Sequence, residues 1–527
     1  MTDLSSGSVT RSPSVPAPVA PPTHPSVAGQ FPWAGRVAGA IAMLLALATL
    51  VGLRALTGLI SLLDALAEVT IEIMPMALFE RLLGIFQTDA KAALLVGLIV
   101  GITIVGAWVG PLLLPNGGHQ AIDVFRPVRS ILILTGIGIG FLYWAIAGRD
   151  SAGFTYVQML TAAGCIVAGA VVYSVGTPLI ARLLTLPANT DGTRTSRRVA
   201  LRAVAVALVA LPAVVLGREV RRTRSGGFLS ERRSGALSSA ITPTDAFYTV
   251  SSNFRDPTGD GGPEWRLTVD GLVDRPLELT LAEVEALADP DLAVTLNCIS
   301  NEIGGPLIST GLWNAAPLAR ILAEASPQSG VVDVVFEGRD GYTDSIPIQK
   351  ALAPECHVAW GLNGEALPAK HGAPLRALIP GIYGIKSVKW LRKITLVDKD
   401  HQGYWQSRGW TDDGTIKPIS RIDTPVDRDV LRPETTQIGG VAWAGVAGVD
   451  RVEVSTDDGA TWQVAEIAES PGPNAWVIWQ LPWMPTTGTY DLVVRLVDGT
   501  GTLQSNDGSP PLPDGASGWH RITVGVI

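Results

Sequence analysis

A single cysteine, Cys298, lies at a point where protein chains commonly place a reactive side chain. It ends the apolar run DLAVTLNC, which predicts a buried strand, and the polar loop ISNEIGG follows it. A lone thiolate at such a point is a natural ligand for a soft metal ion. The other two cysteines, Cys165 and Cys356, are isolated, and the chain has no C-x-x-C pair. This pattern argues against zinc ribbons, cysteine-ligated iron–sulfur clusters and c-type haem.

Two other roles for Cys298 stay open at this level. Free cysteine is among the most buried residue types, so Cys298 could be an inert thiol of the core. If the domain is exported, Cys298 and Cys356 could instead form a disulfide. The cysteine alone does not choose between these roles and a metal ligand.

The elements that would position Cys298 predict an α+β domain over residues 245–423. The runs WRLTVDGLV and VVDVVFEG have the β-branched composition of strands. TLAEVEALA predicts a helix, because Thr280 precedes Glu283 at the spacing of a capping box. The residues around Cys298 therefore belong to an ordinary globular domain.

Residues 424–527 predict an all-β domain. Val452 and Val454 alternate with polar neighbours, and the dipeptide Asp458-Gly459 predicts a hairpin turn. Further strands are predicted at WVIWQL and YDLVVRLVDG. Alternating strands and turns at this spacing are typical of a β-sandwich.

Residues 34–217 predict a helical membrane domain. The whole chain is 47% hydrophobic and only 17% charged, and its mean hydropathy is +0.30. Long uncharged runs that can cross a hydrocarbon layer of ~30 Å predict about five spans. These runs are Val37–Leu53, Ala92–Leu114, Ser130–Gly148, a stretch within Ser151–Ala181, and the shorter Ala203–Gly217. The segment Leu62–Phe86 mixes acids into an apolar pattern and predicts an amphipathic interfacial helix.

The segments that flank these spans have their own signals. Residues 1–33 are rich in Pro, Ser and Ala and predict a disordered tail. Ser196–Arg202, before the last span, resembles a twin-arginine export signal placed within the chain. An ordinary last helix flanked by arginines is the alternative. Residues 218–244 predict a linker, and the export hypothesis places everything after residue 217 outside the cytoplasm.

A series of motifs follows in a fixed order through the predicted α+β domain. They are TLNCISN at 295–301, NGEALP at 363–368, HGAPLR at 371–376, PGIYG at 380–384, KSVKWL at 386–391, and SRIDTP at 420–425. Their order and spacing resemble those of the sulfite oxidase family of molybdopterin enzymes over residues 240–527. The resemblance implies a molybdenum–molybdopterin cofactor and oxygen-atom transfer at an oxo-molybdenum centre. It also implies that residues 424–527 form an immunoglobulin-like dimerisation domain.

The same resemblance implies roles for individual residues. Cys298 would be the thiolate ligand of molybdenum, and Tyr342 would be the active-site tyrosine beside the metal. The residues that would contact the pterin and its phosphate are Tyr248, Ser251, Ser252, Asp340, His371, Arg376, Ser387, Val388 and Lys389. A phosphate suits a guanidinium, an ammonium and backbone amides. The alternatives are a packed strand tyrosine for Tyr342, and a loop pair without function for His371 and Arg376.

Two positions depart from the family's pattern. Sulfite oxidases usually place arginines in the substrate pocket, whereas the corresponding positions here are Val250 and Glu302. A dianion would meet a carboxylate instead of a guanidinium fork. We therefore expect a neutral or zwitterionic substrate, such as a sulfoxide, rather than sulfite. The alternatives are a true sulfite oxidase or dehydrogenase, and a non-catalytic membrane receptor with a degenerate cofactor domain.

The composition also limits the partners. The net charge of −8 argues against a nucleic-acid surface. His24 and His119 are the histidines of the predicted membrane part and its tail, and both lie outside the spans, so a bis-histidine haem cannot form there within one chain. Electrons are therefore expected to pass to or from a separate carrier, a cytochrome or a quinone. The other expected partners are a small-molecule substrate, membrane lipid and a second copy of the chain, at a bacterial cell membrane.

Overall fold

The computed structural model describes most of the 527 residues. The described ranges are 32–57, 62–74, 90–114, 130–137, 156–185, 212–218, 237–251 and 261–527, with single residues at 78, 82, 210, 253, 256, 257 and 259. The chain divides into two compact units, a helical one drawn from the first 220 residues and another built chiefly from residues 221–527. The predicted tail up to residue 31, the segment Ser196–Arg202 and most of the predicted linker lie outside the described residues.

Long apolar helices dominate the described N-terminal part. They include α1 at Pro32–Thr57, α2 at Leu62–Ile73, α3 at Ala90–Val109 and α4 at Tyr156–Thr185. Within the part of the chain that the structure describes, three stretches are long and apolar enough to cross a membrane, namely Trp33–Leu53, Lys91–Leu112 and Ala163–Ala181. They coincide with the first, second and fourth predicted spans. The third and fifth predicted spans are described only at 130–137 and at 210 and 212–218, where the backbone is helical.

Small residues let α1 and α3 approach closely. A Cβ atom on Gly39 of α1 would overlap the carbonyl oxygen of Gly106 of α3. A Cβ on Gly110, just after α3, would lie 2.7 Å from the Cα of Gly39. Tyr173 of α4 donates a hydrogen bond of 2.8 Å to the Gly106 carbonyl. The helices are therefore held by backbone contact and one polar bond, while large apolar side chains such as Trp108 face outward.

The second unit opens with two sheets and three short helices. The strands are β1 Leu267–Gly271, β2 Leu277–Leu279, β3 Leu292–Asn297, β4 Ile308–Pro317, β5 Asp333–Gly338, β6 Thr343–Pro347, β7 His357–Leu362, β8 Glu365–Ala366, β9 Arg376–Leu378 and β10 Leu391–Val397. The helices are α5 Leu281–Glu285, α6 Leu318–Ala325 and α7 Ile348–Ala351. One sheet has the order β2-β1-β10-β5-β6, and the other has the order β3-β4-β7-β8 with β9 on β7.

The α+β pattern predicted from the sequence is present in this region. The two predicted strands are β1 and β5, and Thr280 caps α5 with the predicted capping box to Glu283. Helix α6 buries its apolar face in the same core as β1, β5 and β10. This core includes Ile346 of β6 and Ala377 of β9, whereas Val294 and Leu296 of β3 pack in a second core with Trp313.

The C-terminal region is β-rich, as predicted. Its strands are β11 Ile419–Thr424, β12 Val430–Leu431, β13 Thr436–Trp443, β14 Val449–Ser455, β15 Gln463–Val464, β16 Glu466–Ile467, β17 Val477–Trp483, β18 Gly488–Asp498 and β19 His520–Val526. They form the sheets β11-β13-β17-β16 and β12-β19-β18-β14-β15. Both sheets contribute to one core, with Trp479 from the first and Val494 from the second.

Two local predictions in this region can be compared with the structure. Val452 and Val454 of β14 are buried, but Glu453 between them is buried as well, because Arg451 and Arg495 pair with its carboxylate. The predicted turn is present, and both Asp458 and Gly459 have positive φ angles, of 57° and 89°. Two such residues in succession are the requirement of a type I′ turn.

Candidate functional site

Cys298 directly follows β3 and begins a tight turn. Its amide donates to the carbonyl of Leu307 at 2.9 Å, and its carbonyl accepts from the amide of Asn301 at 3.0 Å. The side chain is 8% exposed, and Sγ lies 3.0 Å from the hydroxyl of Ser300. Cys298 and Cys356 are both free thiols, so the alternative of a disulfide between them is wrong.

The surroundings of Cys298 disfavour a thiolate in the absence of a further cation. Burial raises the pKa of the Cys298 thiol, while hydrogen bonds from Ser300 and the charge of Lys389 oppose that rise. A thiol in such a place ionises readily when a metal ion binds it. The chemistry of this donor therefore suits a metal ligand.

Three phenols lie within electrostatic reach of the thiol. Burial is the main cause that raises the pKa of Tyr248, Tyr342 and Tyr383, and the negative charge of a Cys298 thiolate adds to each rise. The pKa of Tyr383 rises to about 12. Tyr383 was missed as a site residue, although it stands in the motif PGIYG that the sequence singled out. The structure thus places the two predicted tyrosines, and a third one, around Cys298.

Arg376, the first residue of β9, is a buried cation held only by neutral groups. The guanidinium is 5% exposed and donates to the carbonyls of His371 and Ser387, each at 3.1 Å. Among the described residues, no carboxylate forms an ion pair with it. Burial lowers its pKa to about 10. A guanidinium in this state has charge available for an anionic ligand.

Lys389 adds a second cation to the same region. Its ammonium donates to the carbonyl of Val250 at 3.0 Å and lies 4.3 Å from the ring centre of Trp390. Desolvation lowers the pKa of Lys389 to about 8. The charge of Arg376 also disfavours the protonated lysine, which places the two cations within reach of one another. Their mutual repulsion would be relieved by a bound anion.

His371 is buried and neutral. Its Nε2 lies 3.2 Å from the carbonyl oxygen of Thr244, a distance at which the ring nitrogen donates. Burial, assisted by the charge of Arg376, lowers the pKa of His371 to about 3. The ring also contacts Phe247 edge-on, at 5.4 Å between ring centres. His371 is therefore a rigid neutral imidazole at the edge of the site.

Asp340 joins the segment before residue 254 to the loop that carries Tyr342. Its carboxylate accepts from the Asn253 side-chain amide at 2.6 Å and from the Tyr342 backbone amide at 3.1 Å. Burial raises the pKa of Asp340. Ser251 accepts from the Asn253 amide at 3.2 Å, and Ser252 lies outside the described residues.

The segment with Ser387 and Val388 packs against β9. The Ser387 amide donates to Gly384 at 3.1 Å, and the Val388 carbonyl accepts from Ala377 at 2.9 Å. The Ser387 hydroxyl accepts from the Ile379 amide at 3.2 Å. In the structure the Ser387 amide is thus used inside its own turn rather than directed at a ligand.

The two departures from the family pattern lie near the site. Val250 is exposed, and its carbonyl accepts from Lys389. Glu302 lines a cavity together with Asn297 and Tyr383. The side-chain oxygen of Asn297 is buried there and has no hydrogen-bond partner among the described residues. This cavity therefore presents acceptor oxygens, and Asn297 in its wall directly precedes Cys298 in the chain.

The arrangement fits a metal that is brought by an anionic cofactor. Among the described residues, no group of three or more His, Cys, Asp or Glu side chains could hold a metal ion. A metal at Cys298 would therefore need most of its ligands from the cofactor itself. Buried Arg376 and partly buried Lys389 would balance a phosphate on that cofactor. The thiol, the two cations and the neutral imidazole thus fit a metal cofactor that carries a phosphate.

Comparisons with known proteins give the class of the chain. Residues 256–405 match the family model described as oxidoreductase molybdopterin binding domain, and residues 402–526 match the one described as Mo-co oxidoreductase dimerisation domain. The fold and the site therefore define a molybdopterin-binding oxidoreductase. The predicted enzyme class and the predicted molybdenum–molybdopterin cofactor are confirmed.

Curated relatives specify the family. The chain is 31% identical over 340 residues to mitochondrial sulfite oxidase of Mus musculus, covering 54% of this chain and 62% of that protein. It is 30% identical over 321 residues to sulfite oxidase of Gallus gallus, covering 51% and 69%. The solved structure of the sulfane dehydrogenase SoxCD from Paracoccus pantotrophus matches with 25% identity and a TM-score of 0.47, over 52% of this chain and 76% of that one. The chain belongs to the sulfite oxidase family, and it spans about 62% of the length of the mouse relative.

Proposed function

We propose that this chain is a membrane-anchored molybdenum oxidoreductase that transfers an oxygen atom to or from a small substrate other than sulfite. The observation that carries the proposal is a pair of cations, buried Arg376 and partly buried Lys389, beside the free thiol of Cys298. When bound, the molybdenum cofactor supplies two-electron redox chemistry at the metal. The side chains of the protein would bind the cofactor, orient the substrate and control proton positions.

The proposed holding residues divide by chemistry. Cys298 would bind the metal through sulfur, since its burial favours a metal-bound thiolate over a free one. Arg376 and Lys389 would hold the phosphate. The residues proposed to contact the pterin are Tyr248, Ser251, Ser252, Asp340 and His371, with Ser387 and Val388 forming the wall beneath the phosphate. Because neutral His371 donates its one ring proton from Nε2 to Thr244, its Nδ1 is an acceptor, which suits an N–H group of a pterin.

Tyr342 is proposed to act as the neutral hydroxyl of the catalytic site. Burial and the nearby acids Asp344 and Asp340 raise its pKa well above the ordinary value, so the phenol keeps its proton at any physiological pH. Its backbone amide is fixed by Asp340, and its hydroxyl has two acceptors at 2.9 Å. Such a group can bind and orient an oxygen-bearing substrate without carrying charge.

The substrate class follows from Glu302 and its surroundings. Glu302 and the unpartnered oxygen of Asn297 would repel a dianion such as sulfite. Arg421, which lines the same cavity, is neutralised by Asp423 at 2.6 Å. A neutral or zwitterionic substrate, such as a sulfoxide that also carries an ammonium or another donor group, would be accepted. Sulfite remains the second candidate, because the relatives from Mus musculus and Gallus gallus are sulfite oxidases.

The membrane part supports the anchoring proposal. Side chains on the outer face of α3, such as Val100, Ile104 and Trp108, are exposed and apolar, which an aqueous setting would disfavour. We propose a multi-pass anchor of five spans in a bacterial cell membrane. Because five is odd, the tail and the catalytic domain would lie on opposite sides, with the catalytic domain outside the cytoplasm after twin-arginine export.

Two partners are part of the proposal. A separate electron carrier, a cytochrome or a quinone, would exchange electrons with the molybdenum centre. A second copy of the chain would bind through residues 424–527, whose two sheets over one core support an immunoglobulin-like domain. Membrane lipid would surround α1, α3 and α4.

Metal and pterin analysis of the purified full-length chain tests the proposal. We expect one molybdenum and one molybdopterin per chain, and turnover of a sulfoxide that exceeds turnover of sulfite. A chain that is folded but takes up neither metal nor pterin when cofactor synthesis is intact would support the receptor alternative and contradict the proposal.

A further inference from the structure

A buried charged network behind Tyr342 has no part in the function proposed above. The Tyr342 hydroxyl lies 2.9 Å from a carboxylate oxygen of Asp344 and 2.9 Å from the carbonyl oxygen of Ile385. A hydroxyl carries one proton, so it can donate to only one of these two acceptors at a time. The charge state of Asp344 therefore decides which way the hydroxyl points.

Asp344 lies in β6, two residues after Tyr342, and is fully buried. One of its oxygens accepts from the Ser345 amide at 2.9 Å and from the ammonium of Lys386 at 3.1 Å. The other oxygen accepts from the Gln406 side chain at 3.3 Å as well as from Tyr342. Four donors around one carboxylate are the environment of an ionised acid.

Lys386 holds this acid in place. Its ammonium is 2% exposed and also donates to the Ser345 carbonyl and to Asp412, each at 2.8 Å. The two acids raise the pKa of Lys386 above its ordinary value in spite of its burial. The side chain of Asp412 is 40% exposed, so the network runs from the Tyr342 hydroxyl to the solvent.

A purely structural role explains this network poorly. Burying an ion pair costs several kcal/mol in desolvation, and well-packed apolar side chains of similar volume often serve stability as well or better. The network also places its charge directly against a hydroxyl that the proposed function uses. An ionised acceptor attracts a hydroxyl proton more strongly than a neutral carbonyl does.

We propose that Asp344, fixed by Lys386, is a positioning residue that directs the proton of the Tyr342 hydroxyl toward itself and keeps the phenol neutral. The inference rests on the proposed role of Tyr342 at the molybdenum site. While Asp344 is ionised, the hydroxyl donates to it, and the lone pairs of the phenol oxygen are left for a ligand. If Asp344 takes up a proton, the acid donates to the phenol oxygen and the hydroxyl turns to Ile385.

The charges that face the Tyr342 hydroxyl come from several elements. Asp344, Asp340 and a Cys298 thiolate each disfavour ionisation of the phenol. Lys386 is the cation of the network, and its ammonium lies 3.1 Å from the carboxylate of Asp344. The ring of Tyr404 lies 6.1 Å away, centre to centre. Asp344 is the acid of this set that is hydrogen-bonded to the hydroxyl itself.

The test measures the ionisation of the phenol at position 342 directly. 3-Fluorotyrosine is placed at position 342 of the full-length chain purified with its cofactor, and its fluorine resonance is followed against pH by NMR. In Asp344→Asn, loss of the adjacent negative charge should increase the acid dissociation constant of the phenol at least about tenfold. The matched control is Asp333→Asn, because Asp333 is also buried next to β6 but accepts from Ser345 at 2.9 Å. The control should titrate as the unmodified chain does.

Equal titration of Asp344→Asn and the unmodified chain would overturn the proposal, and so would an equal shift in the Asp333→Asn control. Should Asp344→Asn fail to fold, Lys386→Met provides the second test. Without its counter-ion, the pKa of Asp344, which burial already raises, should rise further, and the fluorine resonance should show a protonation step that the unmodified chain lacks. A resonance without such a step would contradict the role of the pair.

Failure of this inference can be told from failure of the proposed function. Molybdenum and pterin content are measured on the same samples. A chain that holds the cofactor but shows no effect at position 342 refutes the positioning role alone. A chain without cofactor refutes the proposed function whatever the titration shows.

Discussion

The guanidinium of Arg376 donates to the backbone carbonyl of His371 across 3.1 Å, so the two ends of the motif HGAPLR are joined to one another. The bond spans five residues and closes the loop that carries both side chains. It leaves Arg376 with neutral partners and an unbalanced positive charge in the interior. His371, beside that charge, is held neutral. A loop of this kind can bind an anion. Without an anion, the buried charge of Arg376 contributes little to the stability of the fold.

Removing that charge should release the cofactor. In Arg376→Met, the pterin content of the purified chain should fall at least about tenfold, because a buried charged hydrogen bond to phosphate is worth several kcal/mol. The measurement is the fluorescence of the oxidised pterin released per chain. Arg320→Met is the control, since Arg320 is exposed and paired with Asp289 at 2.7 Å. Equal pterin content in the two variants would contradict the phosphate role of Arg376.

Changing the charge at the substrate cavity should change the preference for sulfite. The unmodified chain should oxidise sulfite weakly, and Glu302→Arg should raise kcat/KM for sulfite about tenfold or more by replacing a repulsive carboxylate with a guanidinium. Steady-state kinetics with sulfite and with a neutral sulfoxide measure the change. Glu285→Arg, an exposed position on α5, is the control and should have no effect. Efficient sulfite oxidation by the unmodified chain would favour the second candidate function.

The buried imidazole predicts a dependence of stability on pH. The pKa of His371 is lowered from 6.5 to about 3 in the fold, so the unfolded chain binds the extra proton between these values. Stability should be unaffected by this group above pH 6.5 and should fall as the pH decreases toward 3, by about 2 kcal/mol between pH 6.5 and 5. Thermal unfolding of His371→Gln and the unmodified chain at both pH values measures it. The difference between the two pH values should be smaller in His371→Gln.

Loss of the cofactor would not produce the same reduction in the pH dependence of stability. Loss of a ligand lowers the unfolding temperature at every pH, whereas loss of the titrating group changes only the slope with pH. His401→Gln, at a partly exposed histidine of the same unit, is the control. A pH slope in His371→Gln as steep as in the unmodified chain would show that His371 is accessible to protons in the fold.

The location of the catalytic domain can be tested through the predicted export signal. In the double variant Arg197→Lys, Arg198→Lys, a reporter fused after Ile527 should remain in the cytoplasm, because twin-arginine export requires the arginine pair. The first four predicted spans should still insert into the membrane, since insertion depends on hydrophobicity. Export of the reporter by the double variant, or a cytoplasmic reporter in the unmodified chain, would contradict the proposed topology.

The sequence could suggest a candidate site but not the residues behind it. Cys298, His371 and Arg376 lie in short motifs, and the resemblance to a family, rather than their residue types alone, suggested their roles. Lys386 and Asp344 are 42 residues apart, and nothing in either local pattern shows that they meet. Such a pair arises from the packing of β6 against the turn Gly384–Lys386, which is a tertiary event. Tyr383 was visible in a motif but had no pattern that assigned it to the cavity.

The fold was predictable where its signal was local. The capping box at Thr280 and the turn at Asp458 depend on a few adjacent residues, and both were correct. The structure of the membrane part was harder to predict, because hydropathy gives candidate spans but does not show which of them pack against one another. The close approach of Gly39 and Gly110 depends on the crossing of α1 and α3, and a run of apolar residues carries no information about that crossing.

The metal–sulfur bond at Cys298 is the central claim, and X-ray absorption at the molybdenum edge tests it most directly. The measurement compares the full-length chain with Cys298→Ser and with the control Cys356→Ser, which removes the other buried thiol. In Cys298→Ser, the molybdenum should lose one sulfur neighbour while circular dichroism shows an unchanged fold. In Cys356→Ser, the sulfur count should equal that of the unmodified chain. An unchanged sulfur count in Cys298→Ser would contradict the assignment of Cys298 as the metal ligand.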